Sequence, residues 1–437
     1  MSVRRIPDDF TVIGVGGDAR AAQLAWLLHK YGLPPDRIHW ADANAGMLDI
    51  VTATDIPSSS HSALIGYAKQ KGVHMGVISP EGPISLGIGN SFRLNNIPCF
   101  APDYQAAEIE TDKVWSKKLM KKAGVPTAKF RTYKSVVPAK AYARVLIERD
   151  GKCYVKKSGL AAGKGAIPCL SITEANDAID LIMVEHAFGD TSDEVVIEEF
   201  MEGDEISAFA AVTISGGIVE LGYAKDWKAV SATDTINTGG MGALWVHDLS
   251  NDEKAEIRAI FEKIVAQLIQ EGRPYQGVLY AGLMRTTEGI KVVEFNCRFG
   301  DPEFAVMSAL VDPEQFVHML WATVHDDLTG VTGFIDTAYT VGQEAVCVVM
   351  ATGNYPRKPL DVGHTISGLN DARALPGVSV STAGVADNNA GGLKNSGGRV
   401  LEIVGTGPSI PEAAANAYKG VEKIKFDGAQ YRDDIAA

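Results

Sequence analysis

A chain of 437 residues is too long for a single hydrophobic core, and its length argues for about three domains. An apolar share of 46% with 22% charged residues is ordinary for a globular protein, and no apolar run approaches the ~18 residues of a membrane-spanning helix. Forty-one basic against 54 acidic residues leave a formal charge of −13, which excludes the basic face of a general nucleic-acid binder. The five cysteines are scattered without a Cys-x-x-Cys pair, which argues against a disulfide framework or a zinc ribbon and for a cytoplasmic setting. Residues 1–9 carry charge without an apolar stretch behind them and do not read as a secretory signal.

Residues 10–13 predict a buried strand, followed by Gly14-Val15-Gly16-Gly17 and a helix over 18–31 that Gly32 and the Pro34-Pro35 pair stop. A second strand over 38–41 ends at Asp42, a βαβ start that makes a doubly wound parallel sheet the default. Gly14-x-Gly16-x-x-Ala19, with Asp42 beyond, also satisfies a loose dinucleotide fingerprint. The same turn serves any phosphate at a helix N-terminus, or merely close strand–helix packing, and spacing alone does not choose. A strand over 76–79 runs into Pro80-Glu81-Gly82-Pro83, which sets Glu81 at a carboxyl end, where such sheets face their ligands. A solvated loop acid has the same signature. The first domain closes near Pro102.

Thr111 or Asp112 caps a helix with Val114, Trp115, Leu119, Met120 and Ala123 on its apolar side, and Gly124 and Pro126 end it. Lys113 lies in its first turn, where the helix dipole does not favour a cation; it is an ordinary solvated lysine unless it points at a nucleotide. Cys153-Tyr154-Val155 then feeds Lys156-Lys157-Ser158-Gly159-Leu160-Ala161-Ala162-Gly163-Lys164-Gly165. Glycines let backbone approach a ligand, successive amides form an anion seat, and lysines add charge. The Walker spacing is absent, because no Ser or Thr follows Gly163-Lys164, and a solvated turn is the plain alternative. After a helix over 173–188, residues 195–205 read as a strand running into acids and Gly203. That suits an adenosine cleft, with backbone at Glu199 and Met201 against adenine and Glu205 on the ribose, or else a hairpin with its acids in water.

Asp226-Trp227-Lys228 precedes Asn237-Thr238-Gly239-Gly240-Met241-Gly242, whose glycines suggest a mobile loop brought close to a ligand, with a plain flexible loop as the alternative. Strands over 277–284 and 290–296 around Glu288-Gly289 place Glu294 and Asn296 on one face. Such hard oxygens, completed by nucleotide phosphates, are what Mg²⁺ takes. Arg298 follows, able to clamp a carboxylate or phosphate through two parallel hydrogen bonds. The last hundred residues read as an α+β unit with a strand over 344–351 and a helix over 410–423.

Taken in order, these parts resemble the ATP-grasp ligases, in which two α+β lobes hold ATP between them. More closely, Pro80-Glu81-x-Pro83, Gly159-Leu-Ala-Ala-Gly-Lys-Gly165, Ile197-Glu-Glu-Phe200, Asn237-Thr-Gly-Gly-Met-Gly242, Leu279-Tyr-Ala-Gly-Leu-Met284 and Glu294-Phe-Asn-Cys-Arg-Phe-Gly-Asp-Pro-Glu303 resemble the phosphoribosylamine–glycine ligase family. The likeness extends to Gly397-Gly398-Arg399 and the closing Tyr431-Arg432-x-Asp434-Ile435. It implies an α/β and α+β multidomain fold: an N-terminal doubly wound parallel-sheet domain (1–105), a leading helix (106–125), an ATP-grasp lid subdomain (126–195), an ATP-grasp core with a metal site (196–332) and a small C-terminal α+β domain (333–437).

The resemblance also implies the second step of purine synthesis, in which ATP phosphorylates the glycine carboxylate and the amine of 5-phosphoribosylamine attacks the acyl phosphate. By position, Lys113, Lys156, Gly163, Lys164 and Gly165 would contact ATP, with Glu199, Met201 and Glu205 framing adenosine. Glu294 and Asn296 would hold Mg²⁺ or Mn²⁺. Gly16, Gly17, Asn44 and Glu81, together with Asn237, Thr238, Gly239 and Gly240, would face the substrates, and Asp226, Lys228 and Arg298 would orient glycine and the transferring phosphate. The partners implied are these small molecules, with neither nucleic acid nor membrane, on a monomer or weak homo-oligomer.

The chain departs from the family in four places. Gly-Gly-Arg-Glu-His becomes Gly16-Gly17-Asp18-Ala19-Arg20, so Arg20 is the candidate replacement for the lost arginine. Asp-His-Lys-Arg becomes Asp226-Trp227-Lys228-Ala229, Gly-Pro becomes Thr235-Ile236, and Lys-Ala-Asp-Gly becomes Lys156-Lys157-Ser158-Gly159. The ATP side is the better kept. A ligase of the same architecture with another amine or amino acid is the second reading; a non-catalytic nucleotide binder and an NAD-dependent dehydrogenase are the remoter ones.

Overall fold

The computed structural model describes residues 5–159, 165–188, 194–234 and 236–437. Gly163 and Lys164 therefore lie outside the described residues. The N-terminal strand Val12–Val15 is buried throughout, as a strand covered on both faces must be. It lies within a five-stranded parallel sheet ordered Thr52–Thr54, Ile38–Ala41, Val12–Val15, Met75–Ile78 and Cys99–Phe100. The strand order reverses between Val12–Val15 and Met75–Ile78, so the turns after these two strands, at Gly16–Asp18 and Ser79–Glu81, flank the ligand crevice.

Packing explains the first glycine. A Cβ on Gly14 would lie 2.2 Å from the Trp40 ring, and Trp40 Nε1 donates to Gly16 O at 2.7 Å. The Asp42 carboxylate accepts from Ser58 N at 3.2 Å. The glycines of the loose dinucleotide pattern thus make room for Trp40 of the neighbouring strand, with Asp42 serving a turn.

The core is an eight-stranded antiparallel sheet ordered Gly289–Asn296, Gly277–Thr286, Asp204–Val212, Ile218–Asp226, Gly242–Val246, Glu344–Ala351, Arg399–Gly407 and Val378–Thr382. It runs without a break from the central segment into the C-terminal one, because Gly242–Val246 pairs with Glu344–Ala351. Helix Asn251–Gln270, opened by a capping box at Ser250 and Glu253, packs Ile257, Phe261 and Ile264 into the core.

A separate four-stranded antiparallel sheet, ordered Phe130–Tyr133, Val195–Glu199, Cys153–Lys157 and Ala166–Cys169, has its own core against helices Val136–Asp150 and Ile172–Met183. The last of these stops short of the expected 188, the chain turning through His186 at φ +49°. Helix Lys113–Ala123 stands between the two sheets, capped by Asp112 and closed by Gly124 at φ +64°. The bridge from Thr127 to Val292 joins the small sheet's leading segment to the large one.

Candidate active site

The site begins with two lysines on one helix face. Lys113 and Lys117 are four residues apart, so both face the same way. Lys117 is buried, with Nζ 2.7 Å from Glu198 Oε2 and 2.7 Å from Thr127 Oγ1. Lys156, also buried, reaches the other oxygen of Glu198 from the neighbouring strand. Burial pulls the Lys117 ammonium below its ordinary pKa despite Glu198. Burial acts on Lys156 in the same sense, but Glu198 and Glu294 outweigh it and hold Lys156 above the usual value. Glu198 is itself kept ionised, for the two lysines more than offset its desolvation. One carboxylate between two ammonium groups leaves a net positive charge, and Lys113, Lys117 and Lys156 line one small cavity with Glu110 and Glu294.

Strand alternation sends Glu199 the other way. Its Oε1 accepts from Lys129 N at 3.0 Å, and its own amide donates to Lys129 O. The Glu199 amide therefore already has a backbone partner, within the stretch whose backbone was expected to face adenine. Met201 is half-buried in the connection that follows, beside the Tyr154–Phe200 stacked pair at 4.9 Å. Glu198 and Lys117 were missed by sequence reading, although the spacing of four from Lys113 was a signal for the second.

The expected metal pair lies next to this cluster. Pairing shifts from Leu283 opposite Val292 to Gly282 opposite Glu294, a bulge that leaves Val293 as the extra residue. Lys113 Nζ is 3.9 Å from Glu294 Oε2. Burial raises the Glu294 pKa, but Lys113, Lys156, Lys228 and Arg298 outweigh it and keep the carboxyl below its usual range. Asn296 is buried, and its Oδ1 accepts from Arg298 Nη2 at 3.2 Å. Among the described residues no group of three or more His, Cys, Asp or Glu forms a closed metal cage. An ionised carboxylate and an amide oxygen beside a lysine cluster fit a hard cation that draws its other ligands from phosphate and water.

Across the cleft, Lys228 bridges Glu205 and Asp226, with Nζ 3.1 Å from Asp226 Oδ1. Burial pushes the Asp226 carboxyl up to about 6; Lys228 opposes the rise while Glu303 and Glu205 add to it. Glu303 Oε1 accepts from Tyr280 OH at 2.7 Å and Ser207 Oγ at 3.1 Å. The glycine segment after Asn237 is tied down rather than loose. Thr238 donates to Lys228 O through both N and Oγ1, and Gly239 O accepts from Arg399 Nη1 at 2.6 Å. Gly240, at φ +120°, abuts Pro302, so the glycines serve close approach and not mobility.

The crevice of the first domain differs most from expectation. Asp18 caps helix Ala19–Lys30 by accepting from Ala21 N at 2.9 Å, and it also takes Ser79 Oγ at 2.8 Å. The chain's own carboxylate therefore sits at the helix N-terminus where a phosphate was one reading. Arg20 is buried, donating to Asp18 Oδ2 at 2.6 Å, Phe299 O at 3.1 Å and Glu81 Oε2 at 3.4 Å, with Asp301 Oδ2 at 3.7 Å. It joins the first domain to the core through Phe299 and Asp301, and its guanidinium is engaged by Asp18 and Glu81 along the crevice.

Glu81 is shared between Arg20 and Arg298 Nε at 3.5 Å; the two guanidinium groups overcome its burial and bring its pKa down to about 2. Arg298 also reaches Glu110 Oε1 at 3.2 Å, while Glu110 Oε2 accepts from Cys297 N at 2.8 Å. Asn44 Nδ2 donates to Gly17 O and Thr382 O, both at 3.0 Å, and its Oδ1 accepts from Gly46 N and Thr382 Oγ1. It is a joint between the first and last domains. Gly16 and Gly17 have their carbonyls engaged by Trp40 and Asn44.

Asp301 lies where three segments meet, with Arg399 Nη1 at 3.1 Å. Burial and the Asp301 charge push Glu402 well above the carboxylate range, and Gln23 Nε2 donates to it at 2.6 Å. Asp301 falls within the conspicuous Glu294–Glu303 run without an expected role of its own, and nothing in the sequence marks Glu402, since nothing local signals a pairing across a hundred residues.

The three segments match, in order, the models Phosphoribosylglycinamide synthetase, N domain (residues 10–110), ATP-grasp (A) domain (111–304) and C domain (345–437). A phosphoribosylamine–glycine ligase of Rhodopirellula baltica is 36% identical over 435 residues, 98% of this chain and 97% of that one. The human trifunctional purine biosynthetic protein adenosine-3 is 36% identical over 97% of this chain and 41% of its own length. The crystal structure of phosphoribosylamine–glycine ligase from Thermotoga maritima matches with a TM-score of 0.81 at 29% identity, covering 97% of this chain and 100% of that one. The biotin carboxylase domain of a Hydrogenobacter thermophilus 2-oxoglutarate carboxylase shares the fold, with a TM-score of 0.73 at 15% identity. The chain belongs to the phosphoribosylglycinamide synthetase family.

Proposed function

We propose that this chain joins glycine to 5-phosphoribosylamine at the expense of ATP, giving glycinamide ribonucleotide, ADP and phosphate in purine synthesis. The observation that carries the reading is the convergence of Lys113, Lys156, Glu294, Asn296 and Arg298 on one cleft, opposite the Asp226–Lys228–Glu205 cluster. A glycine carboxylate oxygen bonds to the γ-phosphorus as the bond to the bridging oxygen of ADP breaks. The amine nitrogen then bonds to the carbonyl carbon, phosphate leaves with the bonding pair, and the amine's proton passes to phosphate or solvent. Phosphoryl transfer of this kind asks mainly for positioning and charge neutralisation.

Lys113 and Lys156 supply positive charge to the triphosphate, with Gly163, Lys164 and Gly165 as the accompanying glycine segment. Met201 and Glu205 flank the adenosine; Glu199 acts through the fold of that connection, because its carboxylate is held by the Lys129 amide. Arg298 is placed for the glycine carboxylate, and Asp226 for the glycine ammonium, with Lys228 between the acids. Glu294 and Asn296 would hold Mg²⁺ or Mn²⁺, which when bound neutralises phosphate oxygens. On the amine side Glu81 and the backbone of Asn237, Thr238, Gly239 and Gly240 border the crevice beside Gly16 and Gly17. Arg20 and Asn44 shape it from behind. All five cysteines are buried free thiols, which supports the cytoplasmic setting, and the assembly we propose is a monomer or weak homo-oligomer; no described helix is long and apolar enough to cross a membrane.

The test is stoichiometric. Purified chain with ATP, Mg²⁺, glycine and freshly generated phosphoribosylamine should release ADP and form glycinamide ribonucleotide one for one, and a chelator should stop both. ADP release with some other amine and none with phosphoribosylamine would transfer the architecture to a different substrate.

A further inference from the structure

The two lysines facing the triphosphate sit on different elements: Lys113 opens the helix Lys113–Ala123, and Lys156 is the last residue but one of the strand Cys153–Lys157. Besides the Glu198 bridge between Lys117 and Lys156, one part-buried junction ties the start of the helix to the end of the strand. Ser158 Oγ donates to Asp112 Oδ1 at 2.6 Å. The same hydroxyl accepts from Val114 N at 3.3 Å, and the same Oδ1 accepts from Trp115 N at 3.0 Å. Ser158 is 2% exposed, and its amide is held by Glu194 O at 3.1 Å. The helix cap and the strand end are therefore one hydrogen-bonded unit, immediately beside both lysines.

Ser158 is also one of the departures from the family run Lys-Ala-Asp-Gly. In this chain the junction has its carboxylate on Asp112 and its hydroxyl on Ser158. Both Ser and Asp cap helices well, so the two groups are interchangeable in principle without loss of the cap.

We infer that Asp112 and Ser158 are a positioning pair that sets the separation of Lys113 and Lys156 for the nucleotide phosphates. Neither residue touches ATP; they act through the lysines. The inference rests on the ATP-dependent reading of the site. A hydrogen bond to a charged group that closes a buried junction is strong enough for its loss to be read as about a tenfold change in affinity.

The experiment uses the full chain as Asp112→Ser, Ser158→Asp and the double exchange, with nucleotide affinity measured by calorimetry using ATP and Mg²⁺ without glycine or amine. Asp112→Ser keeps a capping hydroxyl but loses the charged acceptor, and should weaken ATP binding about tenfold. Ser158→Asp sets two carboxylates against each other and should weaken it more. The double exchange should return to within about threefold of the parent, the signature of coupled residues. In turnover, the KM for ATP should follow the same order while the KM for glycine stays within about twofold, because the pair lies on the nucleotide side. A merely structural pair would lower the melting temperature of the single variants and leave the ratio of the two KM values unchanged, which would overturn the inference. So would a double exchange no better than the worse single variant. A parent chain that binds no ATP would sink the underlying reading instead, so the two failures are told apart.

Discussion

Asp226→Asn should make the protein more stable and less active at once. The carboxyl is displaced from its ordinary 3.8 to about 6, chiefly because it is buried, with Glu303 and Glu205 adding to the rise and Lys228 opposing it. A pKa raised on folding contributes stability that is full below the unfolded pKa and is lost as pH climbs through the folded one. Between about pH 4 and pH 6 the native protein therefore gives up roughly 3 kcal/mol, at 1.36 kcal/mol per pH unit. The neutral asparagine avoids that loss. At pH 7.5 the variant should gain up to about 3 kcal/mol, and the advantage should close as pH falls toward 4.

Activity should move the other way. If the ionised carboxylate holds the glycine ammonium, about half the sites are competent at pH 6 and roughly a tenth at pH 5. The kcat/KM for glycine should show an acid limb near pH 6, absent from the residual activity of the variant. Unfolding followed by circular dichroism at several pH values, with pH–rate profiles of both proteins, checks the pair of expectations. An asparagine variant that is less stable at every pH, or an acid limb that survives in it, would refute the reasoning.

The three-segment junction yields a second pH test. Glu402 is protonated in the fold, so Glu402→Gln keeps both the acceptor for Gln23 and a donor toward Asp301. The parent should lose stability relative to this variant as pH rises above the ordinary carboxylate range, by up to about 1.4 kcal/mol per pH unit, and parallel melting curves would contradict the raised Glu402 carboxyl. Arg20→Ala strands Asp18, Glu81 and Asp301 without their common partner and should cost about 3–5 kcal/mol of stability. If Arg20 also shapes the amine pocket, the KM for phosphoribosylamine should rise far more than that for ATP; an equal rise in both would remove it from substrate recognition.

The elements with strong local signals were legible before the fold was known. Val12–Val15, Lys113–Ala123, Gly289–Asn296 and Ile410–Lys423 fall within about two residues of their expected limits, because burial pattern, caps and glycine stops act locally. The Glu294–Asn296 pair was legible for the same reason, since a period of two needs no tertiary knowledge. Glu198 shows where local reading stops. The sequence offers two adjacent acids, and alternation says that they face opposite ways, but only the sheet says which one meets Lys117 and Lys156. The glycine segment after Asn237 shows the opposite error. Glycine signals both looseness and close approach, and the partners that decide, Lys228 O, Arg399 and Pro302, come from three separate segments.

The same distinction bears on the amine side of the cleft, where the sequence showed a lost arginine and a gained acid. Those two changes are one arrangement in the fold. Asp18 occupies the helix N-terminus, Arg20 neutralises Asp18 and continues to Glu81, and Arg298 carries the alternation on to Glu110. Acids and guanidinium groups thus alternate along the crevice, and each guanidinium already has at least one carboxylate. Under the proposed function, a phosphate docking beside these residues would exchange partners with a carboxylate, gaining a contact for each one it displaces. Recognition there would depend on how readily Glu81, the more exposed of Arg20's two nearest carboxylates, is released, with side-chain exposures of 31% for Glu81 and 22% for Asp18. Glu81 is also a residue that Arg298 touches, so its release would free on one side of the cleft the same arginine that is proposed for the glycine carboxylate on the other.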